Sequence, residues 1–140
     1  MDSIQRASAT LLISGDSLSP DELTALLGTP PKLGVRKGET FRGSHGEDIE
    51  ARTGMWNFGG DRRSPPDLDA QIAELLAALP DDLQLWADLA TRFECWLTIG
   101  GHLDDWTGGL TLAPATLKLL SERNLPLDFD LYAPAASPSR

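Results

Sequence analysis

The residue types and spacing that suggest chemistry lie in Gly100–Leu110, GGHLDDWTGGL. His102, Asp104 and Asp105 fall close together, beside Trp106 and between two glycine pairs. An imidazole and two carboxylates can ligate a divalent metal or exchange a proton. So local a group needs ligands from elsewhere to close a metal shell, and the other histidine, His45, sits in a Gly-rich polar stretch. The same residues also make a turn, with Asp supplying acceptors to the backbone and Gly supplying φ > 0. The turn is the preferred reading. A metal-dependent, hydrolase-like site at His102, Asp104 and Asp105 is its alternative, and no cofactor is expected.

Cys95 could act as a nucleophile with either histidine. It falls in phase with Phe93, Leu97 and Ile99, however, which places it in the core as a small apolar residue. It is the one cysteine, so no intrachain disulfide can form. The segment VRKGETFRGSHGEDIEARTG offers Arg36, Lys37, Arg42 and Arg52 among glycines, a composition that can cradle an anion. It is not a P-loop, because no G-x-x-x-x-G-K-[ST] leads into a helix. Glu47, Asp48 and Glu50 dilute its charge, and a solvated hairpin loop explains it as well. The best lead is aromatic. Trp96 and Tyr132 are out of phase with the core of their strands, and Trp56 shares with Phe58 a face whose direction the sequence does not fix. Aromatics on an open sheet face suit a small ligand or a protein partner. Cover by helices or by the 40–50 loop, or a homodimer seam, would also account for them.

The elements that must position these residues follow from periodicity. Ala7–Ser14 alternates as a strand, with Ala9, Leu11 and Ile13 on one face. SPDELTALLG is a capped helix: Ser19 is the N-cap, Pro20 the first helical residue, and Gly28 the stop. Short strands are predicted over 32–39 and 52–58, with a polar loop over 40–50 between them. Leu68, Ile72, Leu75, Leu76 and Leu79 then keep helical spacing. Pro80 interrupts, and a second helix uses Leu83, Trp86 and Leu89. A strand over 93–99, a short strand at 110–112, a helix from Pro114 and a strand over 127–132 complete the chain. In the last, Leu127, Phe129 and Leu131 should face the core.

The fold class expected is α+β: an antiparallel or mixed sheet of five or six strands with helices on one face. Leu18–Leu26 echoes Leu112–Leu120, with Leu, Pro, Leu and Leu in register. A duplication would give two ferredoxin-like strand–helix–strand halves; chance is the alternative, since Leu-x-Pro is a common helix entry. Ala113 stands where the first copy has its capping Ser19, so the second helix should start less stably by ~1 kcal/mol.

A chain of 140 residues suits one domain, taken as 7–132 with flexible termini over 1–6 and 133–140. The formal charge is −9, and residues 64–132 hold three basic side chains against twelve acids. Such a surface repels nucleic acid and suits a basic partner. No apolar run approaches the ~20 residues of a membrane span, and no leader-like segment opens the chain. A soluble, cytoplasmic protein is expected.

Taken in order, ISGDSLSPDELTALLG, VRKGE, RTGMW, GGLTLAPATLKLL and LDFDLY resemble an uncharacterised bacterial protein family, the domain of unknown function 4279. The resemblance covers about residues 7–132 and rests on the order of these segments rather than on any one of them. It implies a small α+β domain, and brings no reaction, cofactor or catalytic residue. The expectation for function is a non-catalytic binding or protein-interaction module. The alternatives are the hydrolase-like enzyme of the 102–105 loop and an anion or small-molecule sensor of the basic 36–52 region.

Overall fold

A computed structural model describes residues 4–134. In chain order the elements are β1 (Ile4–Gly15), α1 (Pro20–Leu27), β2 (Leu33–Val35), β3 (Thr40–Arg42), β4 (Asp48–Glu50), β5 (Gly54–Gly59), α2 (Leu68–Ala77), α3 (Leu83–Arg92), β6 (Glu94–Leu103), α4 (Pro114–Glu122) and β7 (Leu127–Tyr132). Five strands form one sheet in the order β2-β5-β1-β6-β7, and β3 and β4 form a separate hairpin. β1 is central and antiparallel to both β5 and β6. β2 is antiparallel to β5, whereas β7 runs parallel to β6. The sheet is therefore mixed, and the fold is α+β.

Two crossovers interleave in this sheet. β1 and β2 are parallel, are joined through α1, and have β5 between them. β5 and β6 are parallel, are joined through α2 and α3, and have β1 between them. That is the ferredoxin-like split arrangement. α4 then adds β7 as an extra parallel strand. The echoed segments accordingly open α1 and α4, which do not serve the two matching halves: α1 belongs to the first half and α4 to the added strand.

The alternation in β1, β5 and β6 decides the layers. Leu11, Ile13, Trp56, Leu97 and Ile99 are fully buried on one face. They pack with Leu23 and Leu27 of α1, Ile72 and Leu76 of α2, Trp86 and Leu89 of α3, and Leu120 of α4. Burying each such aliphatic side chain contributes roughly 1.5–3 kcal/mol. The two buried indoles also satisfy their N–H groups: Trp56 donates to Thr24 Oγ1 at 3.2 Å and Trp86 to the Pro80 carbonyl at 2.8 Å.

Local chemistry agrees with the helix ends. Ser19 accepts from the Glu22 N–H, and Gly28 takes a left-handed φ of 76° while its N–H bonds to Thr24. Ala113 gives α4 no side-chain cap. Asp69 of α2 supplies one from outside: its Oδ1 accepts from the Ala113 N–H at 3.0 Å and from the Thr116 hydroxyl. This bond ties the start of α4 to α2.

Five expectations need correction. Phe129 and Leu131, expected in the core, lie on the helix side but are exposed, because β7 is the edge strand. β1 begins at Ile4, whose side chain is buried, so residues 4–6 are strand rather than loose terminus; the rest of the expected tails, 1–3 and 135–140, lies outside the described residues. The 40–50 loop contains the β3–β4 hairpin, which alternation could not reveal because most of its residues are exposed. Residues 110–112 form no strand; Leu110 and Leu112 pack against the core without a pairing partner. The strand expected over 93–99 runs on to Leu103, so GGHL is the end of β6 and only the residues after Leu103 form the loop.

Candidate functional site

The sheet face turned away from the helices carries its residues in rows. Register puts Arg6, His102 and Tyr132 in one row, Ser8, Gly100 and Asp130 in the next, and Thr10, Thr98 and Asp128 in the third. Paired residues of neighbouring strands share a face, so these side chains form one polar surface.

A fourth column comes from the chain after β5. Gly59 and Gly60 have φ of 89° and 94°, the left-handed region that suits glycine. They offset the chain without turning it away. Gly60 N–H bonds to the Ala9 carbonyl at 2.8 Å, and Arg63 N–H to the Ala7 carbonyl at 2.9 Å. Residues 60–63 thus continue alongside β1. Arg63 turns to the helix layer and pairs with Glu74 of α2. Its neighbour Arg62 joins the open face.

The result is a pocket of about 220 Å³ lined by Arg6, Ser8, Thr10, Arg62, Thr98, Gly100, His102, Asp130 and Tyr132. Gly100 is its floor: a β-carbon there would stand 3.1 Å from Ser8 Oγ and close to nothing else. The Arg6 Nε–H is buried without a hydrogen-bond partner. Buried donors are normally satisfied, so Arg6 keeps hydrogen-bonding capacity that the fold does not use. Arg123 Nε is likewise unpaired, but that side chain lies against its own helix and donates through Nη1 to the Leu119 carbonyl.

His102 and Tyr132 stack with ring centroids 5.1 Å apart, and the Tyr132 hydroxyl donates to Asp130 Oδ2 at 2.9 Å. That bond raises the Tyr132 pKa above its ordinary value. Desolvation against the sheet, and then the charges of Arg6 and Arg62, hold the His102 imidazole below its usual pKa. The ring is therefore neutral at pH 7 and offers one N–H donor and one acceptor. Two guanidinium groups, an imidazole, four hydroxyls and the Asp130 carboxylate line a concavity with a bare glycine floor; the Tyr132 hydroxyl engages that carboxylate, and the two guanidinium groups outnumber it. Such a set suits an oxyanion.

The residues singled out from the sequence scatter. Trp56 is fully buried under α1 and contacts no ligand surface, which corrects its place among binding residues; only its sheet partners reveal which way it faces. Trp96 is half-buried on the open face and lines a shallow groove of about 450 Å³ with Phe93, Asn124, Pro126 and Asp128. Tyr132 is exposed at the rim of the polar pocket. Arg36 donates to Ser19 Oγ at 3.0 Å, and Lys37 pairs with Asp16 at 3.2 Å. Arg42 lies on the hairpin, and Arg52 is exposed before β5. None of these four cations lines the polar pocket. Of the 102–105 group, His102 enters the pocket from β6, while Asp104 and Asp105 lie in the loop beyond it. Among the described residues no three His, Cys, Asp or Glu side chains come together as a metal site. Cys95 is buried, and desolvation pushes its thiol up to about 11, so it stays protonated.

A larger cleft of about 320 Å³ lies across the 60–63 segment, but the Arg63 charge there is neutralised by Glu74. Arg6, Arg62, Ser8, Thr10 and Thr98 escaped sequence reading. Arg6 falls in the segment expected to be a flexible terminus, and Arg62 lies between the expected 52–58 strand and the helix that follows. The signal available was the alternation of β1, extended two residues back to Arg6 and Ile4.

The family model of the domain of unknown function (DUF4279) matches residues 5–134. The chain belongs to that family. No curated protein matches the chain, and no solved structure does. The match begins beside Arg6 and ends just after Tyr132, so it takes in the whole polar pocket. Among the described residues no helix is long and apolar enough to cross a membrane.

Proposed function

We propose that the protein is a binding module that takes a small oxyanion, phosphate-like or carboxylate, in the pocket between Arg6, Arg62 and His102. The observation that carries this reading is the convergence of two guanidinium groups over a glycine floor, with a buried Arg6 Nε–H left unpaired. Planar guanidinium groups hold oxyanions through charge-assisted, often paired hydrogen bonds. Ser8, Thr10 and Thr98 can fill the remaining oxygen sites. A volume of about 220 Å³ suits a small ligand or the charged head of a larger one. The net charge of −9 repels polyanions, so the pocket favours small anions over nucleic acid.

Binding fits better than turnover. His102 stacks on Tyr132 instead of activating a hydroxyl, and the Cys95 thiol lies in the core. The anion reading keeps the sensor idea but moves it from the 36–52 region to the opposite end of β1.

A thermal-shift series with inorganic phosphate, pyrophosphate and citrate tests it. A ligand at roughly a hundred times its Kd adds about 2.7 kcal/mol of stability, or several degrees in Tm. Phosphate also stabilises proteins by exclusion from their surface, so an Arg6→Gln/Arg62→Gln protein is the control. At least one anion should raise the Tm of the wild type by several degrees more than it raises that of the control. Equal shifts in both proteins, with all three anions, would remove the proposal.

A further inference from the structure

A second surface runs along β7, sharing Asp130 and Tyr132 with the rim of the pocket. β7 is an edge strand, and among the described residues nothing pairs with its outer side. Its hydrogen-bonding polarity follows from one bond. Leu97 N–H donates to the Pro126 carbonyl, and Leu97 is in register with Leu127. In a parallel pair, successive residues aim their backbone groups to alternate sides. Asp128, Asp130 and Tyr132 therefore bond inward to β6, and the N–H and C=O of Leu127, Phe129 and Leu131 point outward.

The side chains alternate as well. Phe129 and Leu131 lie on the helix side, yet they are 49% and 41% exposed because the helix layer stops short of the edge. Asp128 and Asp130 stand on the open side. The opposite edge of the sheet is blunted: β2 is three residues long and follows Pro30-Pro31. An unblunted edge with free backbone groups is a template for an added strand.

We infer that the β7 edge binds an extended segment of another protein whose residues alternate basic and apolar. Strand addition would supply backbone hydrogen bonds to Phe129 and Leu131. The apolar residues of that segment would lie beside Phe129 and Leu131, and its Lys or Arg residues beside Asp128 and Asp130. Charge selects the partner. A second copy of this chain would bring Asp128 and Asp130 against the same two acids, a like-charge juxtaposition that disfavours pairing. The acidic excess of residues 64–132 attracts the same basic segment from a distance.

The test uses a labelled, end-capped peptide alternating lysine and valine, titrated into the full-length protein by fluorescence anisotropy. Amide hydrogen exchange at Phe129 and Leu131 reports the site. The lysine peptide should bind, slow exchange at those two amides, and weaken with added salt. A glutamate–valine peptide should not bind, nor should a lysine peptide N-methylated along one edge. Asp128→Lys should weaken binding by about two- to fivefold, the worth of one exposed ion pair. Three results would each overturn the inference: equal binding of the glutamate peptide, failure of the lysine peptide to bind, or protection that falls elsewhere. Concentration-dependent protection of Phe129 and Leu131 without peptide would also overturn it, because the occupant would then be a second copy.

Discussion

Gly100 separates the stability of the sheet from the use of its open face. Its φ is not in the left-handed region, so an alanine can adopt the same backbone. The new β-carbon would meet only Ser8 Oγ, at 3.1 Å, a contact that a small rotation of the hydroxyl relieves. Replacing Gly by Ala at a compatible site stabilises by about 0.4–1 kcal/mol, because the unfolded chain loses freedom. Valine has a higher strand propensity still. Gly100→Ala and Gly100→Val should therefore unfold at the wild-type temperature or up to about 4 °C above it. Both raise the pocket floor, and valine fills part of a space of only about 220 Å³. Losing one hydrogen bond to a charged group costs roughly 1.5–3 kcal/mol, about ten- to a hundredfold in Kd. Calorimetric titration with the best-binding anion should show that loss in Gly100→Val and a smaller one in Gly100→Ala. Wild-type affinity in Gly100→Val would refute the placement of the ligand over this floor. Destabilisation by several kcal/mol would refute the claim that glycine serves the pocket rather than the fold.

Three further outcomes follow from the geometry. Sulfate keeps its charge between pH 8 and pH 5, so its affinity should rise as pH falls and His102 gains a proton, and the rise should vanish in His102→Gln; in the ligand-free protein the folded pKa lies below the unfolded value, so chemical denaturation should show the His102 contribution lost as pH falls through ~6.5 and below. Asp69→Ala removes the acceptor that caps α4 from α2, and urea denaturation should show a loss of about 1–2 kcal/mol, whereas an unchanged midpoint would mean that the two bonds do not hold α4. Cys95, with its thiol at about 11, should not react with a thiol reagent at pH 7.5 until the protein unfolds; fast labelling of the folded chain would contradict its place in the core.

Much of the fold was legible because it rests on local rules. Ser19-Pro20 and Gly28 mark α1, the leucine spacing marks α2, and the alternation in β1 and β6 separates Leu11 and Leu97 from Thr10 and Thr98. The site was less legible because tertiary pairing assembles it. Arg6, Arg62 and His102 are distant in sequence and meet only because β6 and the 60–63 segment flank β1. The glycine pair at Gly59-Gly60 carries the cue for a turn, yet the chain rejoins β1 after it. Phase within β6 puts Trp96 on the open face, whereas both faces of the short RTGMWNF segment carry apolar residues, so Trp56 is assigned only by its pairing with Ile13. The exposure of Phe129 and Leu131 likewise depends on how far the helix layer extends, which no pattern within LDFDLY encodes. The basic stretch stands out in the sequence because its cations are close together. In the fold Arg36 and Lys37 are tied to Ser19 and Asp16.

The central claim is the location of the anion, and amide chemical-shift mapping tests it most directly. The isotope-labelled protein would be titrated with phosphate or pyrophosphate. The amides of Arg6, Ser8, Thr98, Gly100 and His102, with those of residues 60–63, should move together and saturate at one Kd. Saturating shifts centred on Arg36, Lys37 and Arg42, or no saturating shifts with either anion, would contradict it.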